Sequence, residues 1–255
     1  MTEKNIILAL GISYLFAFVA LAEDVTDFSN PAGSTYTLSE DLNATGRDVT
    51  NYGTFIVEGT GLTINSEANV ANRNGEAQFT ISENSDLTVL VKEGFWNESY
   101  EGEGSGVVNL LEGSTLNIGN ADATANFTNN NEAIINIANK ALLNVSGGFS
   151  NNGSAQVYLS EGATLSVDGE LTMNNTSAIT LTSATINNAG GLYVSADSEA
   201  AATISLANST LNTKELVIGR WASERVDSSL TLANSTINST NDSSSRGTIN
   251  VSGNS

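Results

Sequence analysis

The stretch AIINIANKALLNVSGGFSNNGSAQVYLSEGATLSVDGELTM, residues 133–173, decides how the chain is read. In it Ile135-Asn136-Ile137 is followed, eight residues on, by Leu143-Asn144-Val145, and then by an apolar position at Phe149. The same order returns at once as Val157-Tyr158-Leu159, Leu165-Ser166-Val167 and Leu171. An apolar-x-apolar triplet places both apolar side chains on one face of a strand and the middle residue on the other.

Upstream, Phe79-Thr80-Ile81 precedes Leu87-Thr88-Val89, and Val108-Asn109-Leu110 precedes Leu116-Asn117-Ile118, with the same offset of eight. Downstream the offset shortens to seven: Ile179 to Ile186, Ile204 to Leu211 and Leu230 to Ile237. The third apolar position, Phe127, Phe149, Leu171 and Leu192, recurs after 22, 22 and 21 residues. Short polar linkers such as Ser82-Glu83-Asn84-Ser85-Asp86 separate the triplets.

Three-residue strands are too short to pair in isolation. Stacked on copies of themselves they bury a continuous core and pair with the coil above and below. The spacing therefore predicts an all-β fold, a right-handed parallel β-helix: a single-stranded solenoid of three short strands per coil of about 22 residues. A sandwich or barrel wants longer strands joined by hairpins, and a leucine-rich repeat wants a helical segment that these Asn-, Ser- and Gly-rich linkers do not supply.

Around this core, Met1–Asn5 carries Lys4, residues 6–21 are almost entirely apolar, and Ala20-Leu21-Ala22 precedes Glu23-Asp24. That is the pattern of a signal peptide, with cleavage expected after Ala22 and export to the cell surface or beyond. Residues 23–50 are expected to form an N-terminal cap or lead-in segment, and 51–255 the repeat domain. No later stretch is long and apolar enough to cross a bilayer as a helix.

The chain of 255 residues has 28 acidic against 9 basic side chains, a formal net charge of -19. A phosphate backbone would be repelled, so nucleic acid is not expected as a partner. With no Cys and no His, thiol nucleophiles, Ser-His-Asp triads and imidazole or thiolate zinc sites are ruled out. The scattered Asp residues, Asp86, Asp122, Asp168, Asp197 and Asp227, do not pair in the sequence as two carboxylates flanking a scissile bond would. No cofactor, metal or catalytic group is therefore assigned.

The phrases Glu112-Gly113-Ser114-Thr115-Leu116-Asn117-Ile118, Glu161-Gly162-Ala163-Thr164-Leu165-Ser166-Val167 and Glu215-Leu216-Val217-Ile218-Gly219 resemble the loose repeats of autotransporter passenger domains and related bacterial adhesins. The resemblance spans most of residues 51–255. It implies a non-catalytic stalk that presents loops for adhesion to glycans or surface proteins, with a C-terminal β-barrel translocator outside this sequence. Since the chain stops in mid-repeat at Val251-Ser252-Gly253-Asn254-Ser255, the expectation is a fragment of a longer protein, or an end covered by another subunit. Parallel β-helices also include pectin-cleaving enzymes, so a polysaccharide-active enzyme with a carboxylate site is the alternative.

Two segments are expected to interrupt the repeat as loops. In residues 92–103, Trp96 and Tyr100 are candidates to stack on sugar rings while the carboxylates, Glu98 among them, bind hydroxyls or a calcium ion, against the plainer reading in which the loop folds over the side of the helix with its aromatics packed down. In residues 219–227, Arg220, Trp221 and Arg225 are candidates to grip a carboxylated sugar, against the plainer reading in which the arginines pair with Glu224 and Asp227.

Overall fold

A computed structural model describes residues 24–46, 48–75, 77–99, 105–194, 201–219, 227–245 and 248–253. Among them there is no helix; thirty strands form three parallel sheets of ten strands each. Sheet 1 starts at Asp24–Val25, sheet 2 at Phe28–Asn30 and sheet 3 at Thr35–Leu38, and the chain visits them in that order coil after coil. At about 4.8 Å per stacked strand, ten coils make a rod about 43 Å long.

The fold is the expected three-strand parallel β-solenoid, with a less regular coil. Paired residues lie 19 apart at Asp24↔Asn43 and 29 apart at Leu87↔Leu116. The mean is roughly 25 residues rather than 22. The strands stay in register because the variation is confined to the corners: Leu116, Leu143, Leu165, Ile186 and Leu211 remain stacked in sheet 1. Residues 24–50 carry strands of the same three sheets.

The triplets do what period two requires. Leu143 and Val145, Leu165 and Val167, and Val157 and Leu159 are buried, while Asn144 and Ser166 between them face outward. Sheets 3 and 2 together supply a spine of phenylalanines. Phe55 of sheet 3 and Phe79 above it stack at 4.8 Å, and Phe79, Phe95, Phe127 and Phe149 follow edge to face at 4.9 to 5.3 Å. The separations between register partners, Phe55 to Phe79, Phe95 to Phe127 and Phe127 to Phe149, match the coil rise, and the Phe79–Phe95 contact joins the two sheets, so each ring touches the next. Beyond Phe149 the same row continues as Leu171, Leu192 and Leu216.

A second row inside the rod is polar. Asn30, Asn51, Asn72, Asn97, Asn129 and Asn151 are buried at the end of successive sheet 2 strands. Each of the first five amide Nδ2 groups donates to the next Oδ1 at 2.7 to 2.8 Å. All six donate to the carbonyl of the first residue of the sheet 3 strand one coil on: Thr54, Gln78, Val107, Ile134, Gln156 and Ala178. The ladder thus satisfies the corner between sheets 2 and 3, where backbone carbonyls turn away from the sheet. It ends at Met173, followed in the row by Val194 and Ile218.

The corner from sheet 3 to sheet 1 is the most uniform. Asn84, Gly113, Lys140, Gly162, Ser183, Asn208 and Asn234 sit there with φ between 50° and 73°. This left-handed backbone suits Gly and Asn, and it aims each N–H at a carbonyl one coil on, as from Asn84 to Glu112 and from Gly113 to Asn139. In the last strand, Thr248–Ser252, Ile249 and Val251 continue the inward rows of Leu230 and Leu232 and are exposed.

Candidate functional site

Trp96 does not sit in a loop. Gly94–Glu98 is a sheet 2 strand in which Phe95 joins the aromatic spine and Asn97 the amide ladder. The expected interruption of the repeat at 92–103 is corrected for residues 94–98 alone: the inward position after Phe95 holds Asn rather than an apolar residue, so the triplet pattern is broken in the sequence while the strand persists. Trp96 lies outward between Ala71 and Thr128, half-buried. Its indole N–H donates to Asn69 Oδ1 at 3.0 Å, and the Asn69 amide donates in turn to Glu93 at 3.0 Å and Asp48 at 3.4 Å. The indole is therefore fixed toward the corner between sheets 1 and 2.

Glu98 belongs to the other end of the same strand. It is buried and pairs with Arg73 Nε at 2.5 Å, so its carboxylate is engaged by the protein rather than offered to a ligand. Trp96 and Glu98, expected together, are thus directed to opposite corners. Tyr100, Arg220, Trp221 and Arg225 lie outside the described residues.

Segment lengths show which corners vary. Residues 99–106, 195–202 and 219–228 each join a sheet 2 strand to a sheet 3 strand, where coils between them need only 131–133 or 152–155. The corner from sheet 1 to sheet 2 has one long segment, residues 119–125, against 146–148 in the next coil. Asn120 holds this segment, its Oδ1 accepting from the N–H groups of Asp122 and Ala123 at 2.9 and 2.8 Å. It begins at Gly119, φ 72°, where a Cβ would stand 2.5 Å from the Ala123 carbonyl oxygen and would strike Ser146 Oγ.

Two depressions border this segment on the outer side of sheet 1. One, about 350 Å³, is lined by Asn43, Asn65, Glu67, Leu90, Lys92 and Ala123. The other, about 410 Å³, is lined by Thr88, Asn117, Asn120, Asn144, Ser166 and Asp168. Sequence reasoning passed over both, although the nine residues from Ile118 to Phe127, against four from Val145 to Phe149, mark the extra corner length.

Outward amides form ladders here. Asn65 donates to Asn43 at 2.6 Å, Asn144 to Asn117 at 2.8 Å, and Asn117 to Thr88 Oγ1 at 3.3 Å. Among the described residues no group of three or more Asp, Glu, His or Cys is placed to hold a metal ion.

The chain matches no protein-family model, and comparison with curated proteins and with solved structures likewise gives no match.

Proposed function

We propose that the chain is the exported rod of a bacterial surface protein, an autotransporter-passenger-like stalk that carries adhesive segments and catalyses no reaction. The observation that carries this reading is the common exit of the long segments. Residues 99–106 and 219–228, which overlap the two stretches singled out in the sequence, both leave a sheet 2 strand for a sheet 3 strand. The strand ends that they join lie at one corner of the rod. Their parent strands, Gly94–Glu98 and Leu216–Ile218, are five coils apart, about 24 Å along the axis.

Three further features support it. The apolar segment ending at Ala20-Leu21-Ala22 suits export. The rod needs no disulfide, because its interior is closed by packing and by the amide ladder. A preformed scaffold also lowers the ordering cost of whatever it presents. No helix among the described residues is long and apolar enough to cross a membrane.

The test is binding of the purified chain to cells and to immobilised glycans and matrix proteins, against a control protein of equal charge. Binding above the control is expected. It should fall when residues 99–106 and 219–228 are exchanged for the short corner Asn131-Glu132-Ala133, which leaves Phe95 and Asn97 in the core. Binding equal to the control contradicts the reading.

A further inference from the structure

The outer side of sheet 1 is a different surface from the corner that bears the long segments, and its chemistry is more specific. We infer that the two depressions flanking residues 119–125 form one elongated site for a neutral oligosaccharide. From the strand Leu42–Ala44 to the strand Thr164–Val167 the site crosses six strands, about 24 Å, so it suits a short chain of sugars rather than a single ring.

Its polar lining is mainly amide and hydroxyl, with little net charge, and lies among apolar side chains such as Leu90 and Ala123. Glu67 is neutralised by Lys92, with which it forms an ion pair, and Asp168 contributes a single carboxylate in the second depression. The ladders hold their amides in place and leave groups over for a ligand: among the described residues, no hydrogen bond is made to the Asn144 Oδ1 acceptor or by the Ser166 hydroxyl. Leu90, outward and half-buried in the row above Asn65, gives an apolar patch for the C–H face of a ring. Fixed polar groups around a small apolar floor are what a polyhydroxylated ligand needs.

Competing ligands fit less well. A formal charge of -19 disfavours acidic sugars. An extended peptide would need an open strand edge to pair with, and the long sides of this sheet are closed corners, its edges lying only at the rod ends. Residues 119–125 stand as a wall against both depressions, through Ala123 on one side and Asn120 on the other.

The experiment is isothermal titration of the full chain with cellohexaose, xylohexaose, mannohexaose and chitohexaose, and with hexagalacturonate as the acidic comparison. Two variants are titrated alongside: residues 119–125 replaced by Ser-Gly-Gly, the corner of the next coil, and Ser166→Ile, which removes the hydroxyl and fills the groove. Circular dichroism melting checks that each is folded, and the point variant stands in if the corner exchange is not.

At least one neutral hexasaccharide is expected to bind with a dissociation constant on the order of 1 mM or tighter, weakened about tenfold or more in each folded variant. No binding, binding of hexagalacturonate alone, or neutral binding unchanged in the variants overturns the inference. Exchange of the segments 99–106 and 219–228 should leave this titration unchanged, so failure of the adhesive reading and failure of this site are told apart.

Discussion

The buried amide ladder predicts that the same substitution costs different amounts at different rungs. Consider Asn97→Met and Asn151→Met. Met is the native occupant of the next rung, Met173, where it is fully buried, so the side chain itself fits the row. At Asn97 the exchange removes the donor to Asn129 Oδ1 at 2.8 Å and to the Ile134 carbonyl at 3.0 Å. Asn72 loses an acceptor but keeps its bonds to the Val107 and Ala77 carbonyls.

At Asn151 the carbonyls of Ala155 and Ala178 lose a donor, but no further amide waits above, because the row there is already apolar. The difference is one orphaned buried amide oxygen, worth about 1–3 kcal/mol, and burial of the Met side chain offsets part of both costs. Asn97→Met should therefore cost about 2–4 kcal/mol and Asn151→Met about 1–2 kcal/mol. Urea titration followed by circular dichroism reads this as the midpoint shift at unchanged slope. Equal costs, or a larger cost at Asn151, would refute the ladder as the source of stability.

Other outcomes follow from the same coordinates. Gly162→Val should destabilise by about 1–2 kcal/mol through its φ of 73°, whereas Gly162→Asn should be nearly neutral, since Asn84 and Asn208 occupy the same column; thermal melts compare the two. Phe95→Ala, which opens the spine between Phe79 and Phe127, should cost about 3–5 kcal/mol in the urea titration. Trp96→Phe removes the bond to Asn69 from a half-buried outward position and should change stability by about 1 kcal/mol or less, read from the same curves.

What the sequence made legible was whatever period two controls. Leu143, Val145, Leu165 and Val167 announce strand, face and stack at once, because the inward apolar residues flank an outward polar one in each triplet. Sheet 2 was harder to read: its strands alternate Phe with Asn, as in Phe127-Thr128-Asn129, and a polar residue on the inner face looks like a turn until its partner one coil away is known. That is why Trp96 reads as part of a loop although it lies in a strand. The amide ladder is a long-range property, each bond joining residues 21 to 32 positions apart, so no local window contains it.

The site around residues 119–125 escaped notice for a related reason. Asn43, Asn65, Asn117, Asn144 and Ser166 look like composition in an Asn- and Ser-rich chain and become a surface only when coils of unequal length are stacked. Glu98 shows the converse: its residue type suggested a ligand contact, and its burial beside Arg73 gives it a structural partner.

The central claim, a solenoid whose coils of unequal length stay in register, is tested most directly by cross-linking. The chain has no Cys, so engineered pairs report alone. Thr180 and Ser205 are register partners on the outside of sheet 3, with Cα atoms about 4.8 Å apart, within reach of a disulfide. Thr180 and Thr203 are two positions out of register, roughly 8 Å apart and beyond that reach. The account predicts that the pair Thr180→Cys with Ser205→Cys closes quantitatively under mild oxidation with an unchanged circular dichroism spectrum, while Thr180→Cys with Thr203→Cys stays reduced. Equal oxidation of both pairs, or closure of the second in preference, would contradict it.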